Sequence, residues 1–254
     1  MRLPSFGRGA GLVLLALPVL AASCATYATP GRGADLSLFA DVQVDEDLQA
    51  VFEREPAAVL PANLAVVRVQ APEYRSWSLP DDGARGAYRV VTNREIERES
   101  DLERLAALPL VENVAAFNRL LVPAEPRSDR DLREAAARLK ADLLLVYTID
   151  SSFHREGRAD PIGVLTLGLF ASDRIHLSST AAALLLDTRT GFVYGAAETT
   201  AREDRWTHLL SSAASVDRQR IETEREAFAQ LMDEVERLWT EILAVRALSE
   251  QGDS

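Results

Sequence analysis

The sequence predicts an α/β domain of the α+β kind: one mixed, largely antiparallel sheet with a long β-hairpin at its centre and a long C-terminal helix packed across it. Three stretches carry that expectation. Arg174 to Arg202 holds two long runs of strand-forming residues on either side of Asp187-Thr188-Arg189-Thr190-Gly191, a short polar linker whose glycine supplies the positive φ of a hairpin turn. Ala141 to Asp150, ADLLLVYTID, is an almost continuous apolar run, as expected of a strand covered on both faces. From Val216 to Leu248, Ile221, Phe228, Val235 and Ile242 recur at heptad spacing with Leu231, Leu238 and Val245 between them. Met232 and Trp239 widen that stripe, which suits a helix lying on a sheet better than the narrow seam of a coiled-coil dimer.

The N-terminus reads as a leader. Arg2 and Arg8 precede the apolar run Gly11 to Leu20, and small residues follow. The run is short for a bilayer span and Pro18 interrupts it. It ends at Leu20-Ala21-Ala22-Ser23-Cys24, which resembles the lipobox of bacterial lipoproteins. The resemblance implies cleavage between Ser23 and Cys24 after a diacylglycerol has been added to the Cys24 sulfur. A further acyl chain such as palmitate completes an anchor, since one chain holds only marginally and two or three hold stably. Cys24 is the sole cysteine of the chain, so no disulfide framework is expected. Ala25 follows it where aspartate would signal retention, which implies the outer membrane, on its periplasmic side, with the inner membrane as the alternative. The expected organisation is therefore a signal peptide over 1–23, a lipidated cysteine and flexible tether over 24–40, a periplasmic α/β domain over 41–248 and a disordered tail over 249–254.

Within the domain, Asp45 to Glu55 places Leu48, Val51 and Phe52 on one side of a short helix. Asn63 to Val69 reads as a strand. Glu73 to Gly86 is a Pro-, Asp- and Gly-rich loop whose Tyr74 and Trp77 either fold back onto the domain or serve as partner contacts. Tyr88 to Val91 reads as a second strand. The capping patterns at Thr92/Glu95 and Ser100/Glu103 predict one or two helices before Pro109. Val111 to Val122 is a weaker apolar segment that favours neither helix nor strand. Ser128, with Asp131 three residues on, caps a helix carrying Leu132, Ala136 and Leu139. Ser151 to Pro161 reads as a polar loop. The apolar Ile162 to Phe170 that follows is either core or an exposed contact with membrane or partner, with Leu165 and Phe170 its candidate contact residues.

Charge narrows the partners. The chain carries a net charge of −11, or −13 once Arg2 and Arg8 leave with the leader, which argues against nucleic acid and against lying flat on an anionic membrane. With 47% apolar and 26% charged residues, the composition is that of an ordinary folded domain.

Lys140 to Val146, containing ADLLLV, and Leu185 to Gly191, LLDTRTG, resemble the periplasmic α/β domain of the curli-secretion lipoprotein family and the N-terminal domain of the Tol-system β-propeller protein. In those a helix feeds a buried strand and such a hairpin closes the sheet. The resemblance implies a lipid-anchored module that binds other envelope components. The sequence lacks a pair of alternating membrane-spanning strands, so a secretion channel is not expected.

No catalytic motif is found: there is no G-x-S-x-G elbow beside Ser151, Ser152, Ser178 or Ser179, and no phosphate loop. His154, His176 and His208 with Asp150 show no zinc spacing. The expectation is a non-catalytic envelope accessory protein without metal or cofactor, working on a protein partner in assembly, transport or maintenance. The rival is a periplasmic hydrolase or metal-dependent enzyme using the loop after Asp150 and His154. Self-association as a homo-oligomer through the C-terminal helix is a third expectation.

Overall fold

The structure, a computed structural model, describes residues 33–35, 45–76, 85–156, 172–208 and 213–252. In chain order its elements are α1 (Asp45–Phe52), β1 (Ala62–Gln70), β2 (Arg89–Val91), α2 (Glu99–Ala106), β3 (Val111–Ala116), α3 (Asp129–Arg138), β4 (Leu143–Glu156), β5 (Ser172–Asp187), β6 (Val193–His208) and α4 (Ala213–Gly252). They form the expected α+β domain, with one mixed, open, six-stranded sheet in the order β2-β1-β4-β5-β6 and β3 also on β1. The long β5–β6 hairpin lies at one edge of the sheet and not at its centre, which β1 and β4 occupy.

β1 organises one side of the sheet. One edge of it takes β4 in parallel, Val66 opposite Leu145. The other edge is divided: β3 runs parallel to its first half, Leu64 opposite Val114, and β2 antiparallel to its last residues, Val69 opposite Val90. The remaining pairs, β4 with β5 and β5 with β6, are antiparallel.

Strand alternation sends buried side chains to both faces, and helices cover each face. On one, Leu64, Val66, Leu143, Leu145, Tyr147 and Ile149 meet Phe228, Leu231, Met232, Val235 and Trp239 of α4 and Leu105 of α2. On the other, Ala65, Val67, Leu144, Val146 and Leu186 meet Leu132, Ala135 and Ala136 of α3. Each large side chain removed from water contributes about 1.5–3 kcal/mol, so these two seams are the main stabilising terms. α3 is capped as its sequence predicts, with Asp131 Oδ2 accepting from the Ser128 N–H at 3.0 Å.

The hairpin turn also forms as expected, and Asp187 explains why the linker begins with an acid. Its Oδ1 accepts from the N–H groups of Arg189 (2.8 Å) and Thr190 (3.0 Å). Its Oδ2 accepts from Ala57 and Ala58, both at 2.7 Å, and from the Tyr194 hydroxyl at 3.3 Å. One carboxylate thus closes the turn and pins the segment before β1 to the hairpin base. Gly191 takes φ +71°, the left-handed conformation the turn requires.

Several expectations need correcting. The polar loop after Asp150 is strand: β4 runs to Glu156, paired residue by residue with β5 as far as Arg174. Ser151 to Glu156 is polar, but the long β5 supplies main-chain partners that do not depend on side-chain hydrophobicity. Neither capping pattern before α2 forms. The helix starts instead from Arg98, whose N–H donates to Asp101 Oδ2 at 2.8 Å. Val111 to Val122 resolves into β3 and a 3₁₀ turn at Arg119–Leu121. Part of the expected tether is docked: Gly33 bridges to Gln70, and the Ala34 N–H donates to Thr148 Oγ1 at 3.0 Å. α4 continues through Gly252, into the residues expected as a tail.

Candidate functional site

α4 divides into two chemically different halves along the sheet. Its N-terminal half covers a buried polar cluster; its C-terminal half borders an apolar groove.

The cluster begins with Arg68, which stands at an inward position of β1 between Val67 and Val69 and is 2% exposed. Its guanidinium lies 3.7 Å from Glu224 Oε2 and donates to the Tyr74 hydroxyl at 3.1 Å. Arg220, 1% exposed, donates to Glu224 Oε1 at 2.8 Å and pairs with Asp217 at 2.9 Å. Ser151 Oγ donates to the same Glu224 oxygen at 2.8 Å and lies 2.9 Å from Ser179 Oγ. Nearby, the Tyr147 hydroxyl donates to Glu97, and its ring packs on Phe228 at 4.9 Å. Burial, and then the charge of Glu97, push the Tyr147 hydroxyl well above the ordinary phenol range. Burial raises Tyr74 as well, against the opposing pull of Arg68. Two guanidiniums face Glu224 and Asp217, with the charge of Glu97 also acting on Arg68, and Arg68, Arg220 and Glu224 are buried. It is a clasp joining α4, β1, β4 and the residues after β1.

The groove lies between the last turns of α4, the segment before β1 and the hairpin base. Its volume is about 590 Å³, and Pro56, Leu60, Leu143, Phe192, Leu238, Trp239, Ile242 and Val245 line it. Glu241, an exposed carboxylate, and Ser249 also line it, and apart from Glu241 its polar groups are engaged. The Trp239 Nε1–H donates to the Pro109 carbonyl at 2.8 Å, Arg246 Nη1 to the Ala58 carbonyl at 3.2 Å, and the Tyr194 hydroxyl to Asp187. Burial and the adjacent Asp187 charge push Tyr194 up to about 12. Burial works against ionisation of Asp187, but the four main-chain N–H donors outweigh it and hold the carboxyl below the usual range. Phe192 meets Tyr194 edge to face at 5.1 Å, which stiffens this wall. Apart from the exposed carboxylate of Glu241, the site offers apolar surface with fixed walls.

Of the candidate contact residues named from sequence, Tyr74 is 1% exposed inside the clasp and is not a surface contact. The reason is its hydroxyl, which the two buried guanidiniums need as an acceptor. Trp77, Leu165, Phe170, Ser23 and Cys24 lie outside the described residues. Asp150 and His154 do not converge. They share one face of β4 four residues apart, roughly 13 Å at strand rise. His154 lies across from His176, with ring centroids 6.4 Å apart, and His176 Nδ1 lies 2.7 Å from Asp204 Oδ1. Among the described residues there is no group of three or more His, Cys, Asp or Glu placed to hold a metal, and no helix long and apolar enough to cross a membrane.

The clasp was missed from sequence, although a signal was there. Glu224 falls on the apolar stripe between Ile221 and Phe228, at the spacing of Leu231 and Leu238. Arg68 interrupts LAVVRVQ at an inward position. An acid on a buried helix stripe and a base on a buried strand imply each other. The groove had no such signal, because it is assembled from three distant segments.

No family model matches the chain, and no curated protein matches it. Among solved structures, the PelC dodecamer from Paraburkholderia phytofirmans is similar at 17% identity, covering 70% of this chain and 94% of that one, with a TM-score of 0.26. A variant of the same dodecamer is similar at 17% identity over 69% of this chain and 92% of that one, also with a TM-score of 0.26.

Proposed function

We propose that the protein is a lipid-anchored accessory component of the bacterial cell envelope. It is held by acylated Cys24 on the periplasmic side of the outer membrane, and it acts by binding a protein partner. The groove beside the end of α4 carries the binding half of this reading. At about 590 Å³, lined mainly by apolar side chains, with the polar groups of Trp239, Tyr194 and Arg246 tied back into the fold and Glu241 exposed, it suits apolar side chains of a partner better than bond-making chemistry. Val245, 68% exposed at its rim, is the natural point of first contact. The anchoring half rests on the sequence Leu20 to Cys24.

The test is in-cell photocrosslinking from the full chain. A photoreactive residue at Val245 is expected to capture one discrete envelope protein, while the same residue at Arg237, exposed on the same helix, captures none. Equal, diffuse labelling from both positions would defeat the assignment of the groove.

A further inference from the structure

β6 is an edge strand. Among the described residues it pairs only with β5, so a strand of 16 residues leaves one side of its main chain unpaired. Open edges of this length are normally guarded by proline, lysine or bulges. β6 contains neither proline nor lysine; the register irregularity in its pairing lies beside the turn, where Leu185 and Leu186 face Gly195 and Val193, and its middle, Gly195-Ala196-Ala197-Glu198-Thr199-Thr200-Ala201, consists mostly of small residues.

The direction of the main-chain groups follows from the turn. Asp187 directs its N–H to Phe192 and its carbonyl to Gly191, so the odd-numbered residues of β5 hydrogen-bond toward β6 and the even-numbered ones toward β4. Thr180 opposite Thr200 is therefore a non-hydrogen-bonded pair, and the 2.9 Å contact between their hydroxyls agrees with its closer side chains. The N–H and C=O of Glu198, Thr200 and Arg202 consequently point outward from the sheet edge.

The side chains of these three residues share one face. The intervening ones point to α4: Thr199 Oγ1 donates to the Ala227 carbonyl at 2.8 Å, and Ala201 is buried. Glu198 and Arg202 are exposed, and neither has an ion-pair or hydrogen-bond partner among the described residues. Four residues apart on a strand, roughly 13 Å, they cannot reach each other.

We infer that β6 is a self-association surface whose occupant is β6 of a second copy of this chain, paired antiparallel about a two-fold axis at Thr200. In that register Thr200 meets Thr200 in a hydrogen-bonded pair. Glu198 of each copy then stands opposite Arg202 of the other, two opposite-charge pairs on one face. An axis at Glu198 or at Arg202 sets like charges opposite each other, so charge selects the register. An incoming strand of another protein would leave this self-complementarity without a use. The main-chain ladder supplies the adhesion, and the exposed charge pairs supply the choice of register.

The experiment uses the full chain in detergent, with oligomeric state read by sedimentation velocity and fold by circular dichroism. Wild type is expected to be a dimer. Glu198→Arg and Arg202→Glu, each a change at an exposed position, are each expected to self-associate about tenfold more weakly or worse. An equimolar mixture of the two variants recovers the dimer, because every cross-pair is then opposite in sign. Thr200→Cys is expected to form a disulfide with a second copy on oxidation. The inference is overturned by a monomeric wild type, by single variants that associate as wild type does, by a mixture that fails to recover, or by Thr200→Cys joining only a different protein.

Discussion

Replacing Asp187 with asparagine removes the charge on which the hairpin base converges. The carboxylate accepts from four main-chain N–H groups, and asparagine keeps one oxygen while presenting an NH₂ where the other stood. Two acceptor positions therefore become donor against donor. Hydrogen bonds to a charged group are worth about 1.5–3 kcal/mol each, so losing two costs about 3–6 kcal/mol. The turn amides of Arg189 and Thr190 can rotate toward water, which lets the remaining oxygen settle on Ala57 and Ala58 and sets the expected loss near the lower end, about 3 kcal/mol. The sign of its pH dependence follows from the depressed carboxyl of Asp187. The stabilisation is complete above the unfolded-state value and disappears as pH falls through the folded one, once Asp187 takes a proton. Urea unfolding of wild type and Asp187→Asn, first at neutral pH and then stepwise into acid, should show a wide gap that narrows. A neutral-pH gap below about 1 kcal/mol, or one that does not change with pH, would refute this account of the turn.

The clasp and the turn glycine give two further expectations. Glu224→Gln removes the carboxylate that the buried Arg68 and Arg220 guanidiniums share, leaving Asp217 on Arg220 and the charge of Glu97 acting on Arg68, and thermal or urea unfolding should register a loss of about 3–5 kcal/mol. Gly191→Val forces a β-branched side chain to φ +71° and brings its Cβ to 3.3 Å from the Arg133 guanidinium, so the melting temperature should fall by the equivalent of about 1–2 kcal/mol or more.

What the sequence made legible was what its local chemistry dictates. The hairpin, the capped helix leading into β4 and the long α4 each carry their signal within one continuous stretch: a turn glycine, a Ser128/Asp131 box, a wide apolar stripe. The extension of β4 past Asp150 was hidden because its evidence lies in β5, which supplies the pairing that Ser151 to Glu156 does not advertise. β3 was hidden because a parallel partner, β1, determines it from 50 residues away, as in the Asn63–Asn113 side-chain contact. The burial of Tyr74 depends on Arg220, 146 residues further along, and nothing near Tyr74 in the chain reports that acceptor role. The groove likewise exists only once α4, the segment before β1 and the hairpin base have come together.

The reading of this protein as an anchored binding module meets its most direct test at Cys24. Intact-mass analysis of the mature chain recovered from membranes, with membrane fractionation of Cys24→Ala beside it, measures the modification itself. The account predicts a chain that begins at Cys24, carries two or three acyl chains and leaves the membrane when that sulfur is lost. A mature N-terminus elsewhere with an unmodified thiol, or a Cys24→Ala protein that stays with the membrane, would contradict it.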